Sequence, residues 1–364
     1  MDSTIALILA QDGLVTGAVY ALLATGLVLV FSVTRVIFIP QGELVTYGAL
    51  TIATLQLNAF PKIIYLQLVL GAYLFTSEAI KLVKSQPKPP LVADSPKQRF
   101  RSLLPAFVQF ILTPVGLWFL LSELQIHSLL EQMGIFLQVI LTLFLVAPLG
   151  PMLYKTVFEP LSDASVLVLL ILSVALHLSL MGLGLWMFGA EGGRSAPLLE
   201  LSPSWGAFSM SGQSIFVIIS SALVMIGFSL FFQYSMSGKA LRATAVNRLG
   251  ARLMGINVKT SGELAFFCAA LLGAFSGILI GPITTIYYDS GFIIGLKGFV
   301  GAILGALGSY PLAACGALLV GLLESYVSFW ASAYKEVWVF SLIIPVLMWR
   351  SFNHLNIIDE DESL

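Results

Sequence analysis

Long, uninterrupted apolar runs dominate this chain. Residues 5–32, 166–188 and 215–234 each reach the roughly 20 apolar residues that a helix needs to cross about 30 Å of hydrocarbon. Apolar and polar residues do not alternate within these runs, as they would in the strands of a membrane barrel. Since backbone groups in lipid must be paired internally, the pattern predicts an all-α, polytopic bundle of transmembrane helices.

About eleven spans are expected, with nine as the lower limit. Composition agrees, because 58% apolar residues, 10% charged residues and a mean hydropathy of +0.96 leave too little polar surface for a soluble protein. Residues 1–364 are expected to form a single transmembrane domain, and a net charge of −1 gives no reason to expect a nucleic-acid partner. The predicted spans are 5–33, 42–59, 63–83, 102–122, 133–152, 163–188, 213–235, 263–286, 292–309, 311–332 and 337–352.

The positive residues predict an orientation. If the basic segment Gly238–Lys259 is cytoplasmic, alternation of the spans places most of the 18 Lys and Arg on that side. The opposite side receives Lys62, Arg194, Lys297 and Lys335. The N-terminus is therefore expected outside and the C-terminus inside. The first apolar run has no charged region before it and no small-residue cleavage site, so we expect it to be retained as a helix.

The helical pattern breaks at two polar, glycine-containing places near the membrane. One is Pro40–Glu43, and the other covers residues 287–298. On the predicted topology they lie at opposite faces. Interrupted segments of this kind line the pathway in transporters built from inverted repeats, although ordinary turns between helices remain the alternative.

The basic segment reads as a short amphipathic element. Val246, Leu249, Leu253 and Ile256 recur at helical spacing and form an apolar stripe, with Arg248 and Arg252 on the other side. Asn247 is suited to cap a second short helix there, and the small residues Gly250 and Gly255 keep its surface thin. Such an element would fill a cleft on a soluble partner, or else rest on anionic lipid.

Motifs for chemistry are missing from the sequence. It has no phosphate-binding loop, no HExxH and no CxxC, and His127, His177 and His354 are too scattered to suggest a metal cluster. Cys268 and Cys315 fall within predicted helices, where they serve as small apolar side chains. The sequence predicts a protein that moves or holds other molecules, with no enzyme activity and no cofactor of its own.

Three stretches, in order along the chain, resemble permeases of bacterial branched-chain amino acid ABC importers, more closely the H-type than the M-type. The first comprises residues 12–22 and 35–44, the second residues 238–258, and the third residues 295–337 with their Gly-Leu-Lys-Gly-Phe and Gly-Ala-Leu-Gly-Ser motifs. The resemblance covers roughly 1–58 and 153–350. It departs over 60–152, where this chain inserts an extra helical hairpin and a Pro- and Lys-rich loop.

This resemblance implies a machine in a bacterial inner membrane. The partners would be a second, M-type permease subunit, two cytoplasmic ATPase subunits that use ATP, an extracytoplasmic solute-binding protein and membrane lipid. Residues 236–262 would be the cytoplasmic coupling loop, and the two breaks would line the pathway for branched-chain or other neutral amino acids. The coupling residues would be Lys239, Arg242, Ala245, Asn247, Arg248, Leu249, Arg252, Leu253, Gly255 and Ile256. The pathway residues would be Tyr20, Gln41, Gly42, Glu43, Asp289, Lys297, Phe299 and Glu324.

Other functions stay open at the level of sequence. An ion-coupled secondary transporter would use Glu324, Glu43 and Asp289 as coupling carboxylates. A membrane scaffold would use the basic loop to recruit a soluble protein without moving a solute. Urea or a short amide is an alternative substrate, because selectivity in this family lies largely in the solute-binding protein.

Overall fold

A computed structural model describes residues 3–84, 134–200 and 208–348, with a few isolated positions at 112–119 and at 204–205. The predicted span 102–122, the Pro- and Lys-rich loop beyond Lys84, His127, His354 and the acidic tail lie wholly or largely outside these residues. The helices are α1 (Ser3–Thr34), α2 (Gln41–Gln56), α3 (Ile63–Lys84), α4 (Ile135–Val146), α5 (Leu149–Leu153), α6 (Val166–Phe188), α7 (Gly212–Tyr234), α8 (Met236–Val246), α9 (Arg248–Leu253), α10 (Val258–Ile280), α11 (Ser290–Leu304), α12 (Tyr310–Trp330) and α13 (Lys335–Ser341).

The all-α prediction is confirmed. Strand structure in the described residues is limited to a hairpin of β1 (Ser204–Trp205) and β2 (Phe208–Ser209) and one isolated bridge. Within the residues that the structure describes, seven helical segments are long and apolar enough to cross a membrane, and the shorter α2 and α11 lie among them. The number of spans and their orientation stay predictions. The seven are Thr4–Thr34, Ile63–Lys81, Ile135–Leu161, Val166–Phe188, Gly212–Tyr234, Val258–Ile280 and Tyr310–Trp330.

Helix α1 forms the centre of the bundle. It packs against α12, α10 and α11, and most of its side chains from Val15 to Val33 are buried. Its closest approach is to α12, where a Cβ on Gly321 would lie 2.4 Å from the Cα of Gly17. Only glycine allows two helix backbones to come this near, which is how small residues hold membrane helices together. By contrast, α6 and α7 are largely exposed and lie at the edge of the bundle.

Helix α10 begins earlier and ends earlier than predicted. The sequence placed a span at 263–286, whereas the helix covers Val258–Ile280 and residues 281–289 are not helical. The charged residues at its start are compensated: Lys259 lies 2.9 Å from Glu159, and Glu263 lies 3.1 Å from Lys155. Lys155 and the basic segment therefore lie at the same end of the bundle, as the charge distribution predicts.

Candidate functional site: a broken-helix crossing and an exposed coupling element

The two predicted breaks meet inside the bundle. A Cβ on Gly42, at the start of α2, would lie 2.0 Å from the carbonyl oxygen of Gly291, at the start of α11, and Gly295 touches Gly42 one turn further on. The expectation that the breaks lie at opposite faces is therefore wrong. Helix α11 does not follow α10 across a simple outer turn, because residues 281–289 carry the chain back beside α2.

Gln41 fixes the start of α2 against α1. Its side chain is 1% exposed, and its Nε2 donates to the carbonyl of Leu23, 3.1 Å away in the middle of α1. Pro40 precedes it without capping the helix through a side chain. The start of α2 is thus held within the bundle, as the interrupted sequence at Pro40–Glu43 predicts.

Glu43 is completely buried at this crossing. Its Oε1 lies 3.0 Å from Nδ1 of His177 in α6, a contact outside hydrogen-bond geometry, and neither Glu43 oxygen makes a hydrogen bond to another described residue. The His177 ring stacks on Phe292, with ring centroids 4.8 Å apart. Asp289, just before α11, is exposed and acts electrostatically on Glu43. A buried, incompletely paired carboxylate of this kind is costly in a membrane protein, which makes Glu43 a candidate functional residue.

A second polar cluster joins α1, α11, α12 and α13. Lys297 is 4% exposed, and its Nζ lies 2.6 Å from Oε1 of Glu324 and 3.1 Å from Oε1 of Glu336. The hydroxyl of Tyr20 donates to Oε2 of Glu324 at 2.8 Å. Glu324 therefore faces the interior with its charge paired, as its mid-span position predicts. Lys297 was counted among the residues of the outer side, but it lies within α11 and is buried.

One predicted site residue, Phe299, and two residues that were not predicted, His177 and Glu336, remain to be placed. Phe299 is partly buried and packs against the main core. His177 and Glu336 were not predicted as site residues. His177 sits in an unbroken apolar run, and Glu336 follows a span, so their only sequence signal is that each is a charged or titratable residue next to long apolar segments.

The loop before α7, which contains Arg194, is hydrogen-bonded to the non-helical segment 281–289 before α11. Arg194 donates from Nε and Nη2 to the carbonyl of Pro282, at 3.1 and 3.0 Å. Gly193 and Ile286 exchange two backbone hydrogen bonds of 2.8 and 2.9 Å. Side-chain and backbone hydrogen bonds therefore hold the loop against residues 281–289.

At the other end of the bundle, α8 and α9 form the basic element that the sequence predicts. The Oγ of Ser235 accepts from Gly238 N at 2.9 Å and caps α8. Asn247 Oδ1 accepts from Gly250 N at 2.9 Å and caps α9, which confirms the predicted cap. Such caps contribute about 1 kcal/mol each.

The outer surface of this element is apolar and basic. Val246 is 86% exposed, Leu249 67% and Leu253 80%, while Ile256 is half-buried. Lys239, Arg242 and Arg252 are exposed, and Arg248 and Ala245 are half-buried. Gly255 has a φ of 83°, which turns the chain from α9 toward α10. Large apolar side chains this exposed are candidates for contact with a partner protein or with lipid.

Comparisons with known proteins agree on one family. The model of the branched-chain amino acid transport system permease component matches residues 9–349. The chain is 31% identical over 208 residues to the high-affinity branched-chain amino acid transport system permease protein BraD of Pseudomonas aeruginosa, which covers 55% of this chain and 68% of BraD. It is 30% identical to LivH of Escherichia coli K12, over 53% of this chain and 65% of LivH. A probable LivH of Methanocaldococcus jannaschii is 26% identical over 67% of this chain and 79% of its own length. The matches thus span about two thirds of the bacterial relatives. No solved structure matches the chain.

Proposed function

Since the chain belongs to the branched-chain amino acid transport permease family, we propose that it is a membrane subunit of an ABC importer for branched-chain or other neutral amino acids. A solute-binding protein delivers the substrate, two separate ATPase subunits supply the energy, and an M-type permease completes the pathway. The chain itself carries no ATPase activity. The observation that carries the proposal is the exposed apolar and basic surface of α8 and α9.

Docking of an ATPase subunit would cover this surface. Leu249 and Leu253 would enter a cleft on the ATPase, and Arg248 and Arg252 would pair with acidic residues at its rim. A fully buried leucine contributes about 1.5–3 kcal/mol. Two such side chains would contribute about 3–6 kcal/mol toward the cost of association, and the flanking charge pairs and the rest of the interface would supply the remainder.

Movement of the docked element would reach the crossing through direct contacts. Helix α8 is fixed to α10, because the hydroxyl of Thr244 lies 3.2 Å from Oγ of Ser261. Helix α10 packs in turn against α2, which carries Gln41, Gly42 and Glu43. Closure of the ATPase dimer would therefore displace α10 and reopen the crossing between α2 and α11. This is a population shift between two states, driven by the difference in their binding to the ATPase.

The crossing would line the pathway. Asp289 is exposed next to the buried Glu43, so the carboxylates lead from the surface into the bundle. The negative charge of Asp289 would attract the ammonium group of an amino acid, Glu43 would accept a hydrogen bond from it, and the uncapped amino terminus of α11 would face its carboxylate. Tyr20, Lys297, Phe299 and Glu324 would form the neighbouring wall. Urea or a short amide would lack the ammonium group for which these carboxylates are suited.

Affinity purification tests the proposal. The tagged chain is purified in mild detergent as wild type, as Arg248→Glu/Arg252→Glu, and as the control Lys62→Glu/Lys335→Glu, which makes the same charge change at one exposed and one half-buried site elsewhere. We expect an ATPase and a second permease with the wild type and the control. We expect the Arg248→Glu/Arg252→Glu variant to lose the ATPase and keep the second permease.

The opposite results have clear meanings. If the wild type purifies alone while its uptake collapses with the proton or sodium gradient, the chain is an ion-coupled secondary transporter. If it binds a soluble protein but no solute is transported, it is a scaffold. If the arginine variant keeps its ATPase, the coupling surface lies elsewhere.

A further inference from the structure

A cleft of about 670 Å³ opens beside α8 and is separate from the crossing between α2 and α11. It lies between the end of α1, α7, α8 and the turn that leads into α12. Its volume is within the range of small-ligand sites. Its lining is mainly apolar along α7 and α8, and its polar end is formed where the end of α1 and Arg242 meet the start of α12. The apolar wall includes Met225, Ile226, Phe228, Phe232 and Val246.

The polar end of the cleft is positive. Arg242 lines it, and within the described part of the chain this guanidinium has no carboxylate partner. Ser32, Ser309 and Tyr310 add hydroxyl groups, and none of the described lining residues is acidic. Ser309 precedes the 21-residue helix α12 without a side-chain cap, so the partial positive charge of that helix end faces the same place.

The apolar wall continues into the surface that faces lipid. Ile226 and Leu230 on α7 are 57% and 49% exposed, and this helix is among the least buried in the bundle. An acyl chain lying along α7 would thus reach the cleft from the membrane without crossing polar surface. Arginine suits a phosphate group at the end of such a chain, because its planar donors bind two phosphate oxygens at once.

We propose that this cleft binds one anionic phospholipid, with its phosphate at Arg242 and the start of α12 and an acyl chain along α7. The cleft lies at the end of the bundle that the positive residues assign to the cytoplasm, where anionic headgroups attract basic side chains. Ala245 and Val246 of α8 also line it, so the lipid contacts the same helix that bears the coupling surface. The proposal does not depend on which solute the protein carries.

Lipid titration followed by native mass spectrometry tests this. The detergent-purified chain is titrated with phosphatidylglycerol and, separately, with phosphatidylcholine of the same acyl chains, and the dissociation constant of the first bound lipid is compared. We expect the wild type to prefer phosphatidylglycerol about fivefold, the effect of roughly one basic side chain at a membrane surface. Arg242→Ala removes the preference, and Arg242→Lys keeps part of it. The matched control is Lys239→Ala, an exposed basic residue of the same helix outside the cleft, which keeps the preference.

A further variant and a competitor separate the remaining explanations. Ile226→Trp fills the apolar wall at an exposed position and should weaken binding of both lipids. Glycerol 3-phosphate has the phosphate but no acyl chain and should not displace phosphatidylglycerol. The proposal is overturned if the wild type shows no preference, if folded, monodisperse Arg242→Ala retains it, or if glycerol 3-phosphate competes as well as the lipid does.

Discussion

Lys297 shows how one buried charge is kept in a membrane bundle. It is 4% exposed and contacts Glu324 and Glu336, so the desolvation of its ammonium group is offset by two carboxylates from α12 and α13. The hydroxyl of Tyr20 satisfies the second oxygen of Glu324. Three helices and the start of a fourth are thereby tied together by a handful of polar atoms.

Removal of Lys297 should therefore lower the free energy of unfolding by more than the loss of its own interactions, because two carboxylates are left without a cation. In Lys297→Met, Glu324 and Glu336 lose their shared cation, and we expect a destabilisation of about 3–5 kcal/mol, seen as a lower unfolding temperature in detergent. Lys297→Met/Glu324→Met should recover much of this loss, because the more deeply buried of the two unpaired carboxylates is gone and Glu336 is 38% exposed to solvent. Lys62→Met, at an exposed lysine, is the control. If the two single effects simply add in the double variant, the ion pair is not the cause.

Glu43 separates a transport role from a structural one. Glu43→Gln keeps the shape of the side chain and removes its charge beside His177, so we expect leucine uptake by the reconstituted importer to fall roughly tenfold or more while the complex still assembles. The measurement is uptake into proteoliposomes at equal protein content. The control is Thr51→Val on the same helix. It removes a buried hydroxyl that has no described hydrogen-bond partner, and it should leave uptake near wild type. Unchanged uptake in Glu43→Gln would remove this carboxylate from the pathway.

The residue pairs themselves were beyond sequence reasoning. Glu324 stood out because a charged residue in an apolar helix is costly, and Glu43 because it lies in an interrupted segment, and both signals are local. Their partners are 134 and 27 positions away, on helices whose mutual placement depends on the whole bundle. His177 in particular reads as an ordinary polar residue in an apolar run until α6 is placed next to α2.

At the scale of elements, the crossing of α2 and α11 is set by backbone contact. Gly42→Ala would place a methyl group 2.0 Å from the carbonyl of Gly291, which neither helix can avoid without moving apart. We expect a cost of about 1–3 kcal/mol or more and reduced uptake. Gly182→Ala, in α6 where nothing lies within 4 Å, is the control and should be neutral or slightly stabilising. Thermal unfolding in detergent compares the two, and equal stability would show that the helices separate easily here.

Element boundaries follow the sequence where polarity changes abruptly. The predicted spans 163–188 and 213–235 differ from α6 and α7 by three residues or fewer, since polar residues flank both. The prediction for α10 was wrong at both ends for opposite reasons. The basic segment is predicted to run to Lys259, but the helix already begins at Val258, and Glu159 compensates the charge of Lys259. Residues 281–286 are predicted to continue the span, but Pro282 cannot extend the helix.

At the scale of the whole molecule, the orientation can be tested by chemical labelling. In a background of Cys268→Ala/Cys315→Ala, single cysteines replace Glu191 in the outer loop and Arg252 in α9, both exposed. A membrane-impermeant maleimide should label Glu191→Cys in intact cells, and Arg252→Cys only after lysis, because basic segments stay in the cytoplasm. Labelling in the reverse pattern would show that the orientation is the opposite of the predicted one. The proposed ATPase surface would then face the outside of the cell.

Arg194 holds the loop before α7 in place by donating hydrogen bonds to main-chain oxygens, not to side chains. Every amino acid supplies the same carbonyl. Substitutions at positions 282 and 283 therefore preserve these hydrogen bonds, provided that the backbone path stays the same. Arg194 itself has no such freedom, because a lysine cannot present two parallel N–H groups to one oxygen. Together with Gly192 and Gly193, which leave no room for a side chain, this guanidinium should be among the least variable positions of the loop.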